Sequence, residues 1–253
     1  MTDTVTFEPG GYRYAPFQFQ YSCGVAAEPG FIIERARFAR PVPLEDGFRR
    51  IEAHLGAVSR PLTAFCACEL RSPEPFTDQG FIDFNRIYVG TLERWGIFKD
   101  DDNPVARTNV CPPLDAPSEP SFHAFSYTVP SDGPAGPPSF VVSGAGEAPT
   151  GPGDYKERII RLGDTSTEAM REKARFVLGA MEQRMKPLGV NWPDVTLIHA
   201  YTIENLHPFL ADEILARGAA ADGLTWVYAL PPVIGLDYEM DVMGVMREIV
   251  LPA

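Results

Sequence analysis

The stretch "PVARTNVCPP", residues 104–113, has a counterpart late in the chain in "ADGLTWVYALPP", residues 221–232. Both run from a small residue through a variable one to Thr, a short β-rich segment and Pro-Pro, but the variable residue is Arg107 in the first and Leu224 in the second. Working outward from the two stretches, the same order of signals occurs twice. In the first half, "FQFQYSCGV" (17–25) and "FIIERARFA" (31–39) read as strands and "LEDGFRRIEAHLGAV" (44–58) as a helix with Phe48, Ile51 and Leu55 on one face. Then come a strand at 62–70, a helix at 80–96 and strands near 105–111 and 121–129. In the second half, 139–146 and 157–163 read as strands, and 165–189 is a helix with an apolar stripe through Met170, Ala174, Val177, Leu178, Met181 and Met185. A strand at 194–204, a helix at 206–218 and two closing strands complete it.

This pattern predicts two α+β domains of ββαβαββ order, each a mixed sheet with two helices on one face. The boundaries fall at 1–130 and 139–253, around a Pro/Gly-rich linker at 131–138.

Composition narrows the function. The 253 residues are 45% hydrophobic and 22% charged, which suits a globular protein. A formal charge of −12 repels phosphate backbones and acidic lipids, so neither nucleic acid nor membrane is an expected partner. One buried arginine still creates a local field for a small anion. With no signal-like or membrane-spanning run, a cytoplasmic location is expected. Cys66 and Cys68 alternate along a strand and read as core thiols; Cys111 has no visible partner base. The four histidines show no metal-binding spacing, so no metal and no organic cofactor is expected.

The order of elements, with "SGAG" (143–146), "FNRIYVG" (84–90), "VARTNV" (105–110) and "LDYEMDV" (236–242) at the joints, resembles the reactive-intermediate deaminase (Rid, YjgF/UK114) family, as two tandem copies. The resemblance implies chorismate-mutase-like domains in a trimer-like homo-oligomer, with sites between neighbouring domains. It also implies hydrolysis of an unstable 2-amino-enoic or 2-imino acid, such as an aminomuconate, to a 2-keto acid and ammonia. By the same resemblance Arg107 holds the substrate carboxylate, Glu239 relays protons, and Ser143, Gly144, Gly24, Asn85, Tyr88 and Tyr12 line the site. The Glu position is Phe125 in the first copy, and His123, on the same strand face two residues earlier, reads as a substitute proton carrier or as a satisfied core or interface histidine.

The residues themselves leave alternatives. Arg107 reads as a bidentate carboxylate clamp or as a surface arginine paired with Asp102. Glu239 reads as a general base or, with Asp237 and Asp241, as the outward face of an alternating strand. The pocket either combines Arg107 and Asn85 with Gly144 and Glu239, or keeps to the first copy with Gly24, Arg107, Asn85 and His123. A chorismatase-like enzyme acting on a dicarboxylate and a non-catalytic metabolite-binding module are the competing functions.

Overall fold

The computed structural model describes residues 4–131, 136–151, 153–218 and 222–252. Among the described residues, twelve strands form two sheets. The seven-stranded sheet has the order β1 (Val5–Phe7), β2 (Tyr12–Ala15), β3 (Gly24–Ala27), β8 (Phe140–Gly146), β11 (Glu239–Gly244), β9 (Leu197–Tyr201), β10 (Thr225–Val227). The five-stranded sheet has the order β12 (Arg247–Leu251), β4 (Phe31–Pro43), β7 (Ser121–Pro130), β5 (Phe65–Arg71), β6 (Ala106–Val110).

Helices α1 (Leu44–Ala57) and α2 (Asp78–Arg94) bury Phe48, Ile51, Leu55, Tyr88 and Leu92 against the five-stranded sheet. Helix α3 (Thr167–Leu188) lays Met170, Val177, Met181 and Leu188 on the seven-stranded one. A short fourth helix, α4 (His207–Phe209), continues into a wider turn at Leu210–Ile214. The two sheets meet through Tyr12, Val25, Ile33, Cys66, Ala106, Val141 and Met243.

This mixed α+β arrangement corrects the expectation of two small ββαβαββ domains. Strands from the two halves of the sequence share sheets: β3 pairs antiparallel with β8, and β12 pairs parallel with β4. The reason is local at the β3–β8 seam. β8 is buried along almost its whole length, so both of its edges need hydrogen-bonding partners. Gly24 supplies the approach, because a Cβ there would lie 2.8 Å from the Val141 carbonyl oxygen. The second expected strand of the later half, at 157–163, does not form. Arg161 and Gly163 both have positive φ, at 52° and 74°, which breaks an extended run, and the segment folds as a loop. The expected strand at 17–25 forms only from Gly24 onward, and 206–218 is short, wide and tight helical turns in series. The expected linker at 131–138 lies partly outside the described residues, at 132–135.

The two opening stretches meet in space. Cys111 and Leu230 exchange backbone hydrogen bonds of 2.7 and 2.9 Å, tying the end of β6 to the segment after β10.

Candidate active site

Strand β6 is the edge of its sheet, and that edge abuts β8 of the other. The Arg107 amide donates to Ser143 Oγ at 3.0 Å, and the Ser143 hydroxyl donates to the Ser22 carbonyl at 2.6 Å. Ser143 is thereby occupied in joining the sheets. Beside this junction the strands diverge around a small chamber lined by Tyr21, Phe81, Arg107, Asn109, Gly144 and Glu239, among others.

Arg107 is 2% exposed, yet both terminal nitrogens lack any hydrogen-bond partner. Four aromatic rings surround it instead, from Tyr88 at 4.9 Å, Tyr21 at 5.3 Å, Phe81 at 5.7 Å and Phe84 at 5.8 Å. Asp102, the alternative partner, is bonded to the Tyr14 hydroxyl. A desolvated guanidinium with free donors needs an anion to offset its burial. Asn109, two residues along the same strand face, adds a second unsatisfied donor. Its Oδ1 accepts from Ser72 at 3.0 Å while its buried Nδ2 has no partner.

Glu239 enters from β11 and is 4% exposed. Burial, and next the negative charge of Asp241, hold its carboxyl well above the usual carboxylate range, against the opposing pull of Arg184 and, more weakly, of Arg107. The strand face carrying Glu239 and Asp241 is therefore not an outward one. Asp241 is fully buried and accepts from His199 Nδ1 and the Tyr201 hydroxyl, each at 2.8 Å.

Gly144 faces Glu239. A Cβ at this position would collide with Glu239 Oε1 and stand 3.0 Å from Thr108 Cγ2. Because the colliding atom is the end of a side chain, Gly144→Ala is expected to displace the carboxyl rather than the fold. Its turnover should fall at least tenfold while its thermal midpoint stays within about 2 °C of the parent. Steady-state kinetics beside a thermal melt checks this.

A larger cleft of about 470 Å³ adjoins the chamber and shares Tyr21, Gly146 and Tyr155 with it. Its rim carries Arg158, from the loop that replaces the expected strand, and Arg184, from α3.

Of the residues singled out in the sequence, Arg107, Glu239 and Gly144 line one chamber. Tyr88 packs its ring against Arg107, with its hydroxyl 3.3 Å from Cys68 Sγ. Asn85 is buried one turn away, where Nδ2 donates to the Phe81 carbonyl at 2.6 Å and Oδ1 has no partner. Three others lie elsewhere. Gly24 serves the strand seam, as above. Tyr12 sits between the sheets with its hydroxyl 3.3 Å from the Phe65 carbonyl. His123 lines neither void; burial and then Arg71 push its pKa down to about 3, so the imidazole is neutral beside the paired Arg35 and Glu69. Cys111 is buried too, and burial followed by Glu239 pushes its thiol up to about 12, which suppresses the thiolate.

Sequence reasoning missed Tyr21, Asn109, Tyr155, Arg158 and Arg184. Two carried a readable signal. Asn109 alternates with Arg107 on β6, and Arg184 stands on the α3 stripe between Met181 and Leu188, where packing alone favours an apolar residue. Tyr21, Tyr155 and Arg158 come from irregular segments that have no period to reveal them.

Comparison with known proteins places this geometry. A 2-amino-5-chloromuconate deaminase of Comamonas testosteroni is 58% identical over 251 residues, 99% of this chain and 100% of that protein. A chorismatase crystal structure is similar at 12% identity and a TM-score of 0.48, over 88% of this chain and 77% of that one. The family model that matches, across residues 4–249, is that of the 2-aminomuconate deaminase CnbZ. This corrects the resemblance to the reactive-intermediate deaminases, and the tandem repeat with it: the chain belongs to the 2-aminomuconate deaminase CnbZ family.

Proposed function

We propose that the protein hydrolyses a 2-aminomuconate-type enamine acid to the 2-oxo acid and ammonia in the chamber between Arg107 and Glu239. The observation that carries this reading is the buried, unpartnered guanidinium of Arg107 lining one chamber with the buried carboxyl of Glu239, whose pKa is held by burial well above the usual carboxylate range.

Arg107 accepts the carboxylate attached to the amino-bearing carbon, donating both free N–H groups to its two oxygens. Asn109 Nδ2 supplies a further donor. The clamp sets the adjacent carbons toward Glu239. The protonated Glu239 delivers its proton to C3 as the nitrogen lone pair forms C2=N, leaving an iminium and a carboxylate. Water then adds to C2 and gives a proton to that carboxylate, forming a neutral carbinolamine. Glu239 next protonates the nitrogen. The C2–N bond breaks as the hydroxyl oxygen forms C=O, and the hydroxyl proton returns to Glu239. One water is consumed, one ammonia leaves, and the acid ends as it began. A carboxyl with an elevated pKa suits alternating donor and acceptor roles near neutral pH.

The test is ammonia release from freshly generated 2-aminomuconate, followed with a coupled ammonia assay and by loss of the diene absorbance. Stoichiometric ammonia is expected. Diene loss without ammonia, or no change at all, overturns the reading.

A further inference from the structure

The chamber holding Arg107 is small, about 30 Å³. It admits a group the size of a carboxylate, roughly one or two waters' worth of space, and no six-carbon chain. A six-carbon acid held by Arg107 must extend past Tyr21 and Tyr155 into the adjoining 470 Å³ cleft. There two more guanidiniums stand without an acidic partner among the described residues. Arg158 bonds the Pro149 carbonyl and stacks on Tyr155 at 4.9 Å, and its Nε is buried with no acceptor. Arg184 holds the Ser143 and Gly144 carbonyls at 3.0 and 2.7 Å through one nitrogen and lies over Phe17 at 5.1 Å. In a chain with 34 acidic against 22 basic residues, arginines bonded only to neutral groups around one connected hollow are a selective arrangement. Among the described residues no acidic side chain lines the outer cleft.

We propose that Arg158 and Arg184 form a second carboxylate subsite, so that the site takes dicarboxylates end to end, one carboxylate on Arg107 and the other in the outer cleft. This rests on the deaminase reading only for which end reacts. Phe17, Phe176 and Ala180 supply an apolar wall for the carbon chain between the ends.

Isothermal titration calorimetry with two compounds that bear no amino group separates the claims. Muconate has both carboxylates; sorbate has the same six-carbon diene with methyl replacing one of them. The parent protein is expected to bind muconate at least tenfold more tightly than sorbate. R158Q and R184Q should each weaken muconate roughly ten- to a hundredfold and leave sorbate within about twofold. R184Q also removes two backbone contacts, so R158Q is the decisive variant if R184Q fails to fold. Equal affinity of the parent for the two acids, or equal weakening of both by R158Q, overturns the subsite. Arginine-dependent muconate binding without ammonia release from 2-aminomuconate sinks the deaminase reading and leaves the subsite standing. Full ammonia release with unchanged KM in R158Q does the reverse.

Discussion

Arg107→Ala lowers kcat/KM for 2-aminomuconate by roughly 10²- to 10⁴-fold, the expected loss of two charge-assisted hydrogen bonds. Arg107→Lys recovers little of it, because an ammonium is a point charge without the fork that meets both carboxylate oxygens. The same substitution has a second readout, in stability. The guanidinium is buried with both terminal nitrogens unpartnered, held only by ring faces, so the unliganded protein bears its desolvation cost. Arg107→Met keeps much of the side-chain volume and removes the charge; it should raise the thermal midpoint of the unliganded protein while abolishing turnover. A residue kept for packing or for an internal ion pair behaves oppositely. A lower midpoint with activity intact would therefore remove Arg107 from the site.

Glu239→Gln lowers kcat by roughly 10²- to 10⁴-fold, the usual contribution of a positioned acid–base group. Glutamine keeps the shape and supplies no exchangeable acid. The pH dependence follows from the raised pKa. Free-enzyme kcat/KM falls as pH rises through that pKa, since the first step needs the protonated carboxyl. Stability moves with it. Between the ordinary carboxyl pKa and the raised one, the folded protein binds a proton that the unfolded chain has released. The parent therefore loses stability as pH climbs through that window. E239Q lacks this group, so its midpoint relative to the parent should rise from acid to alkaline pH. Thermal melts of both proteins across a pH series test this, and a constant difference would show that Glu239 is ionised in the folded state throughout.

Arg107 stands out in the sequence as a charge inside an apolar strand, whereas Glu239 alternates with Asp237 and Asp241 and stands out only through the resemblance. Gly144 stood out with its neighbours in "SGAG". Periodicity also located α1, α2 and α3 to within a few residues, since each keeps its apolar stripe for three turns or more. Where the pattern is weak the sequence misleads: at 157–163 an apolar pair flanked by arginines resembles a strand, while Arg161 and Gly163 take positive φ and Ile159 packs with Val233 and Leu236. His123 is singled out in the sequence by its place two residues before Phe125 on one strand face. Its strand face looks toward Arg35, Arg71 and Glu69, a relation that needs the sheet to be seen.

By itself the sequence determined helices α1, α2 and α3 and most of the central strands, because those depend on spacing within one segment; that Arg107 and Glu239 are both buried was decided by the fold. Which strands share a sheet was decided by tertiary structure, since hydrogen-bonding edges are satisfied between segments far apart in the chain. So was the candidate site: Arg107 and Gly144 come together where β6 abuts β8, and Tyr21, Arg158 and Arg184 line the chamber or its adjoining cleft from a loop, a turn and a helix that no local period connects.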